Sequence, residues 1–238
     1  MRTIPSASEL RLRARTLLTG NWVPVCLISC LQIICTFLLS RLVSLVFSGN
    51  IFSFVFALAF FAYGLISFLL IGGYAYVFLN VSRERRIRTG DLFYSFQHQP
   101  DRIFVWFLIH ASYALSCFLF PTYLLLQDMA GRPAWIYWPH VLIGILLFLA
   151  IFLFFALRFA MVPFLYAESP WKNAAALLVE SQEMMKGQKL RLFTLECSFL
   201  GYYLLAILSL GIGFVWVKPY VYTTRAQFYL DLRSRQTT

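Results

Sequence analysis

The stretch that decides the fold is residues 51–79, IFSFVFALAFFAYGLISFLLIGGYAYVFL, in which no residue is charged. An apolar run of this length is typical of a helix that crosses a lipid bilayer. At about 1.5 Å per residue the helix would measure about 43 Å, whereas a hydrocarbon core is about 30 Å thick. We therefore expect this helix to tilt, bend or project beyond the core, with Gly72-Gly73 as a site of close packing or bending.

The composition extends this prediction to the whole chain. Of the 238 residues, 61% are hydrophobic and 13% are charged, whereas soluble domains average about 45–50% apolar and about 25% charged residues. A soluble fold of this length could not bury so much apolar surface and still keep a polar coat. We predict an all-α, polytopic membrane helical bundle that forms a single domain over residues 1–238.

Six transmembrane spans are predicted, at about residues 22–40, 51–79, 103–126, 141–166, 192–208 and 214–232. The last two are one of two alternatives, because residues 192–217 could also form a single long span. That span would leave Lys218, Arg225, Arg233 and Arg235 outside. A split at residues 209–213 keeps the terminal arginines inside, where basic residues of membrane proteins concentrate. The sixth span is nevertheless poor by hydropathy.

Basic residues fall mainly between the apolar runs. They lie before Trp22, in the loops at 80–102 and 167–191, and after residue 232, whereas only Arg41 and Arg132 occupy predicted outer segments. This pattern predicts a multi-pass cell-membrane protein with both termini in the cytoplasm. The net charge of +10 then indicates attraction to membrane lipid with anionic headgroups, and not to nucleic acid. We expect headgroup contacts from Arg11, Arg15, Arg83, Arg85, Arg86, Arg88, Lys186 and Lys189.

Two amphipathic cytoplasmic helices are expected outside the spans. The first lies within residues 1–20, where Ser6 and Glu9 have the spacing of a capping box. Its apolar face, which includes Leu10 and Leu18, would either lie among the headgroups or pack on the bundle. The second covers about 170–186, with Ser169 as its N-cap and Gly187 at its end.

Three ionisable residues, Arg158, Glu196 and Arg225, fall within the predicted fourth, fifth and sixth spans. Ionisable side chains at membrane depth usually face the bundle interior and pair with one another. We therefore expect intramembrane ion pairing of Glu196 with Arg158 or Arg225. The alternative is that both arginines extend to the inner headgroups while Glu196 reaches the cytoplasmic surface. A substrate or proton site is the third possibility.

The sequence carries no recognised catalytic signature. It lacks HExxH, GxSxG, a phosphate-binding GxxxxGK[ST] loop, a spaced carboxylate pair, and any cysteine–histidine spacing typical of zinc. We expect a non-catalytic protein with no cofactor and no metal, which binds membrane or cytoplasmic partner proteins or organises lipid at the cytoplasmic face. The alternatives are a small transporter or permease-like protein for a lipid-like or hydrophobic substrate, and a membrane enzyme acting on lipid.

The C-terminal third contains a recognisable set of short motifs: Met161-Val162-Pro163-Phe164-Leu165, Met184-Met185-Lys186-Gly187, Leu210-Gly211-Ile212-Gly213, Pro219-Tyr220 and Phe228-Tyr229. With Thr89-Gly90-Asp91-Leu92-Phe93 and Gly20-Asn21-Trp22, the chain resembles the bacterial integral membrane family catalogued as domain of unknown function 975. Members of that family occur mainly in Gram-positive bacteria. The resemblance implies a six-span bundle with cytoplasmic termini, and it implies no activity. Arg225 departs from the family pattern, in which an aromatic or polar residue is usual there.

Overall fold

The computed structural model describes residues 5–46, 54–108 and 137–236, and all secondary structure in these ranges is helical. The outer turn predicted at 48–50, Arg132, and residues 109–126 of the third predicted span lie outside the described residues. The helices are α1 (Ala7–Leu18), α2 (Trp22–Val46), α3 (Phe54–Ser82), a 3-10 helix (Thr89–Phe93), α4 (Tyr94–Gln97), α5 (described over 100–108), α6 (Tyr137–Arg158), α7 (Val162–Glu168), α8 (Ala174–Met184), α9 (Lys189–Cys197), α10 (Leu200–Leu208) and α11 (Phe214–Gln236).

Four helical segments in the described part of the chain are long and apolar enough to cross a membrane: Trp22–Ser44, Phe61–Ser82, Ile145–Glu168 and Lys189–Leu208. They correspond to the predicted first, second, fourth and fifth spans. In three of these segments the apolar side chains remain widely exposed, as Leu146 and Phe152 of α6 show, whereas Phe61–Ser82 is mostly buried. Exposed apolar surface on this scale requires an apolar environment or a partner. The segment Phe214–Gln236, predicted to contain the sixth span, is helical but is not among these four.

The Gly72-Gly73 pair is a site of close helix packing, as predicted. A Cβ atom placed on Gly73 would lie 1.7 Å from the backbone carbonyl oxygen of Leu92, and one placed on Gly72 would lie 2.2 Å from Ile103 Cδ1. The segment after α3 therefore folds back and packs against the middle of that helix. At Gly73 only glycine leaves room for this approach, since any side chain there would overlap the backbone of Leu92.

Helix α1 begins with the predicted capping box. Ser6 Oγ accepts a hydrogen bond from the Glu9 N–H, and the Glu9 carboxylate accepts one from the Ser6 N–H. The apolar face of α1 is buried and packs mainly on α11. Of the two alternatives for this helix, packing of its leucines on the bundle is the one observed.

The core is concentrated around the Ser82 end of α3, where helix α7 is almost entirely buried. Aromatic rings from α3, α7, α9–α10 and α11 fill it: Tyr74, Phe78, Phe164, Tyr166, Phe199, Phe228 and Tyr229. Helix α6 is separated from α7 by a turn before Met161, so the predicted fourth span is a long helix followed by a short buried one. The opposite end of the described bundle has more exposed apolar side chains.

The chain reverses between α10 and α11, so the single long span over residues 192–217 is wrong. Helix α10 ends at Leu208 and α11 begins at Phe214. The turn between them contains Leu210 with φ of 55° and Gly211 with φ of 88°. Two successive left-handed residues reverse the chain, and glycine at the second tolerates this conformation without strain.

The boundary predicted for the second amphipathic helix is wrong at its start. Ser169 is the C-cap of α7, and α8 begins only at Ala174, after the N-cap residue Asn173. The sequence pattern merged the turn between these helices with α8, because Ser169-Pro170 also has the form of a helix start. Gly187 lies beyond the end of α8 with a positive φ of 71°, as expected of a helix stop.

Candidate functional site

The Ser82 end of the bundle contains a connected set of five charged side chains and one tyrosine, which we call the Glu168 network: Arg83, Glu168, Lys172, Glu180, Tyr229 and Arg233. Glu168, at the end of α7, accepts hydrogen bonds from Arg83 and from the hydroxyl of Tyr229. Its Oε2 also lies 3.1 Å from Nε of Arg233. Through these contacts one carboxylate joins the end of α3 to α7 and α11.

The network continues from Arg233 to helix α8. Arg233 Nη1 donates to Glu180 Oε1 at 2.6 Å, and Lys172 Nζ donates to Glu180 Oε2 at 2.7 Å. Burial disfavours the charged form of Glu180, but the hydrogen bonds from Lys172 and Arg233 outweigh it, so the pKa of this carboxyl lies below its ordinary value. Glu180 is therefore held as a carboxylate that links α8 to α11.

A second cluster fastens the start of the chain to its end. Arg191 donates to Asp231 Oδ2 at 2.7 Å and to the backbone carbonyl of Pro5 at 2.8 Å. Arg235 lies 3.0 Å from the same carboxylate, one helical turn further along α11. The guanidinium of Arg191 also lies 4.9 Å from the ring centroid of Phe228. Arg191 thus connects α9, α11 and the segment that precedes α1.

The structure brings together two of the three ionisable residues predicted within the spans. Arg225 Nε donates to Glu196 Oε1 at 2.5 Å and Arg225 Nη2 donates to Glu196 Oε2 at 2.8 Å, which is a bidentate pair. Arg158 does not join them, because its Nη2 donates to Gln182 Oε1 at 2.5 Å. The pair connects α9 to α11, and Arg225 also lies 5.5 Å from the ring centroid of Tyr222.

Four of the eight residues predicted to contact headgroups contact other side chains or line a small cavity, and the other four are exposed. Arg83 belongs to the Glu168 network, Lys189 Nζ lies 4.3 Å from the ring centroid of Phe154, and Arg15 donates to the Tyr202 hydroxyl at 3.4 Å. Arg11 is half-buried and lines a small cavity with Arg15. The remaining residues are exposed: Arg85, Arg86, Arg88 and Lys186.

Two of these exposed arginines line a cavity of about 500 Å³, which we call the basic cavity. It lies between the α1–α2 connection and the chain that leaves α3. Gly20 and Glu84, on its two sides, both have positive φ, of 91° and 56°. These two reversals bring the connections together at the Ser82 end of α3. The lining residues are Thr16, Leu17, Thr19, Asn21, Pro24, Val81, Glu84, Arg85, Arg86 and Ile87.

A different surface is formed where the 3-10 helix and α4 meet α2 and α3. Here an apolar groove of about 620 Å³ opens on the side of the bundle. Its lining residues are Cys35, Leu38, Leu39, Arg41, Leu42, Ile66, Leu70, Phe93 and Phe96. Apart from Arg41 all of these side chains are apolar, so the groove suits an alkyl chain and offers little to a polar ligand.

Sequence reasoning missed the carboxylates Glu168, Glu180 and Asp231. A usable signal was present, because the chain has only 10 acidic residues against 20 lysines and arginines. A carboxylate beside an apolar helix in such a basic chain is expected to be paired if it is buried. The partners themselves could not be predicted, since they come from the residue that follows α3, the turn before α8, α9 and α11. Over the described ranges, no group of three or more His, Cys, Asp and Glu side chains is placed to hold a metal ion.

These features define an all-helical protein with helices suited to a membrane and with ion pairs concentrated at one end of the bundle. The family model described as "Protein of unknown function (DUF975)" matches residues 1–236, and the chain belongs to this family. This confirms the family suggested by the motifs of the C-terminal third. No curated protein and no solved structure matches the chain.

Proposed function

We propose that this is a non-catalytic, multi-pass protein of the cell membrane, with both termini in the cytoplasm, which binds anionic lipid headgroups at its cytoplasmic face. Its four apolar helices support the membrane location. The basic segments before Trp22 and at 80–102 support the orientation, because such segments remain on the side where the chain is made. The observation that carries the proposal is the basic cavity, formed where both segments meet.

The chemistry of the basic cavity fits a phospholipid headgroup. Arg85 and Arg86 are exposed, and guanidinium groups bind phosphate oxygens through paired hydrogen bonds. The cavity also has an apolar wall, formed by Leu17, Pro24 and Val81. A ligand with a phosphate at one end and alkyl chains at the other would satisfy both surfaces.

The position of the basic cavity also favours a lipid over a soluble anion. It adjoins Pro24, in the first turn of α2, and Val81, in the last turn of α3, which are the ends of two candidate membrane helices. A headgroup at the membrane surface would reach this site while its acyl chains remain in the bilayer. Basic residues near an anionic leaflet each contribute on the order of 1 kcal/mol to such binding.

The test is the thermal stability of the detergent-purified protein with added phosphatidylglycerol or phosphatidylcholine. A ligand that binds only the folded protein raises its unfolding midpoint. We expect a larger rise with the anionic lipid, and we expect Arg85→Gln or Arg86→Gln to reduce it. Arg13→Gln is the matched control, because Arg13 is also an exposed arginine and does not line the cavity.

Two results would contradict the proposal. Equal stabilisation by the two lipids would show that the headgroup charge is not recognised. An equal reduction by all three variants would show that the net charge of the protein acts as a whole and that the basic cavity is not a binding site.

A permease-like function for a hydrophobic substrate is the second candidate, and the apolar groove favours it. The groove could hold one alkyl chain between α2, α3 and Phe93. If it carries a lipid between leaflets, purified protein in vesicles should accelerate the movement of a labelled phospholipid, and Leu38→Trp should slow that movement by filling the groove. Leu38 is largely exposed, so this change adds little strain to the bundle core. Movement at the rate of protein-free vesicles would rule this candidate out.

A further inference from the structure

The turn between α10 and α11 is unusually apolar for a connection in water. No residue between Glu196 and Lys218 is charged, and Ser209 is the one polar side chain in the turn itself, residues 209–213. Ser209, Gly211 and Gly213 are residue types common in turns of any kind, whereas the other two positions, Leu210 and Ile212, are apolar. The side chains at this tip are nevertheless exposed: Leu208 78%, Leu210 94%, Ile212 63% and Trp216 52%.

The backbone N–H groups of this turn need no water. Each N–H group from Ser209 to Val217 donates within the hairpin, for example Gly211 to the Ala206 carbonyl at 3.0 Å and Phe214 to the Gly211 carbonyl at 3.2 Å. The Gly213 N–H donates to Ser209 Oγ at 2.8 Å, and the Ser209 hydroxyl itself donates to the Ala206 carbonyl. Irregular backbone in hydrocarbon is excluded mainly by unsatisfied donors and acceptors. The donors of this turn do not carry that penalty.

The register of α11 against α3 places the tip well short of the far end of the bundle. Tyr222 packs on Tyr74 with ring centroids 4.6 Å apart, and Gln227 donates to the Ser82 carbonyl at 3.3 Å, so the two helices run in the same direction. Upstream of this contact α11 has about 12 Å of helix, whereas α3 has about 30 Å, at about 1.5 Å per residue. The hairpin therefore ends about 18 Å before Phe54.

Helix α2 gives an independent measurement of the same depth. Lys218 Nζ lies 3.3 Å from Gln32 Oε1. Beyond this contact α2 continues for about 21 Å to Val46, whereas α11 has only about 6 Å left before Phe214. By this contact the hairpin ends about 15 Å short of the end of α2, in agreement with α3.

We propose that α10 and α11 form a re-entrant hairpin whose apolar tip ends within the hydrocarbon, in contact with lipid acyl chains, and does not reach the outer water. The inference rests on the proposed multi-pass topology, and it replaces two complete crossings with a hairpin that enters and leaves on the cytoplasmic side. If a core of about 30 Å begins near Phe54, the tip lies near the midplane. If the hydrocarbon core of the bilayer instead covers the depth of Phe61–Ser82, the tip still ends inside the hydrocarbon, about level with Ile66.

The test is the accessibility of single cysteines to a membrane-impermeant maleimide, in a background with the five native cysteines replaced by alanine. Leu210→Cys and Ile212→Cys report on the tip, and both side chains are too exposed for their replacement to remove core packing. Asn50→Cys reports on the predicted outer turn and Arg86→Cys on the cytoplasmic face. We expect Asn50→Cys to react in intact cells, and Arg86→Cys to react only in opened membranes.

The maleimide should label the tip cysteines from neither side of the membrane, and it should label them once the protein is in detergent. We expect labelling at least about tenfold weaker than at position 50, because the reaction requires a thiolate, which hydrocarbon disfavours. Labelling of Leu210→Cys from outside, with both controls behaving as expected, would overturn the re-entrant hairpin and leave the topology intact. If the controls react from the wrong sides, the proposed topology fails and the hairpin inference fails with it. Binding of anionic lipid at the basic cavity is tested by the separate stability measurement. A failure of that proposal is therefore distinguishable from a failure of the topology or of the hairpin.

Discussion

Replacing Gly73 by alanine tests the closest approach made at any glycine in the described part of the chain. The added methyl group would lie 1.7 Å from the Leu92 carbonyl oxygen. An ordinary carbon–oxygen contact needs about 3.3 Å, so α3 and the 3-10 helix would have to separate by roughly 1.5 Å. The obstacle is backbone, which cannot rotate away as a side chain could. Overpacking of this kind typically costs about 1–3 kcal/mol, and a backbone clash is expected at the upper end.

An opposing effect has to be subtracted, because alanine is a better helix former than glycine by about 1 kcal/mol. The expected net loss for Gly73→Ala is therefore about 2 kcal/mol. Gly201→Ala isolates the opposing effect, since glycine 201 lies within α10 and a Cβ atom there would meet nothing within 4 Å. That variant should be more stable than the wild type by up to about 1 kcal/mol.

The assay is thermal or denaturant-induced unfolding of the detergent-purified variants, followed by circular dichroism. The two alanine variants should shift the midpoint in opposite directions. Gly72→Ala should fall between them, because its Cβ meets the flexible ends of Ile103 and Ser95. If Gly73→Ala is as stable as Gly201→Ala, then the segment after α3 does not pack on the middle of that helix, and the fold-back described above is wrong.

Two further predictions concern the ion pairs. Glu196→Gln or Arg225→Gln should each destabilise the protein by about 1–2 kcal/mol, since each removes a charged partner of a bidentate pair. In a double-mutant cycle the loss in the double variant should be clearly smaller than the sum of the two single losses. Fully additive losses would show that the two side chains do not interact. The pKa of Glu180 is lowered in the folded protein by its hydrogen bonds to Lys172 and Arg233, after burial has opposed them. Its contribution to stability is therefore present above the ordinary carboxyl pKa and is lost as the pH falls through the lower folded value. Unfolding measured from roughly pH 7 to roughly pH 3, which brackets ordinary carboxyl values of about 4, should show a smaller acid loss in Glu180→Gln than in Glu183→Gln, whose side chain is exposed.

The elements that the sequence predicted well depend on neighbouring residues alone. The capping box at Ser6 and Glu9 is a local hydrogen-bond pattern, and the turn at 209–213 contains Gly211, which has a positive φ. Gly72-Gly73 was also recognisable, because paired glycines in an apolar helix mark close approach. The start of α8 was misplaced because Ser169-Pro170 has the form of a helix start, although it lies in the turn between α7 and α8.

The choice among ion-pair partners could not be made from the sequence. Arg158 and Arg225 were equally placed to reach Glu196, and the decision depends on how α6, α9 and α11 are rotated and tilted against each other. In the structure Arg158 donates a hydrogen bond to Gln182, and Arg225 is the arginine that pairs with the Glu196 carboxylate. Such choices depend on tertiary packing, which a pattern along one helix does not contain.

Helix depth is a second property that the sequence did not determine. An apolar segment of sufficient length predicts a span, and residues 192–208 and 214–232 were interpreted in this way. Length alone does not say where a helix lies along its neighbours. The contacts of Lys218 with Gln32 and of Tyr222 with Tyr74 supply this register, and they shift the hairpin toward the Ser82 end of α3.

The positions of the carboxylates determine which arginines are paired within the bundle and which are available to bind lipid. Glu168, Glu180, Glu196 and Asp231 are each paired with an arginine inside the bundle. Removing one partner of such a pair would leave an uncompensated, partly buried charge, so the pairs link α7, α8 and α9 to α11. They also leave few carboxylates near the chain that leaves α3. Arg85 and Arg86 are exposed, and Glu84 is the one acidic residue lining the same cavity. If this end of the bundle lies at the headgroup layer, as proposed, Arg85 and Arg86 present positive charge where α2 begins and α3 ends, which is an arrangement that an anionic lipid would recognise.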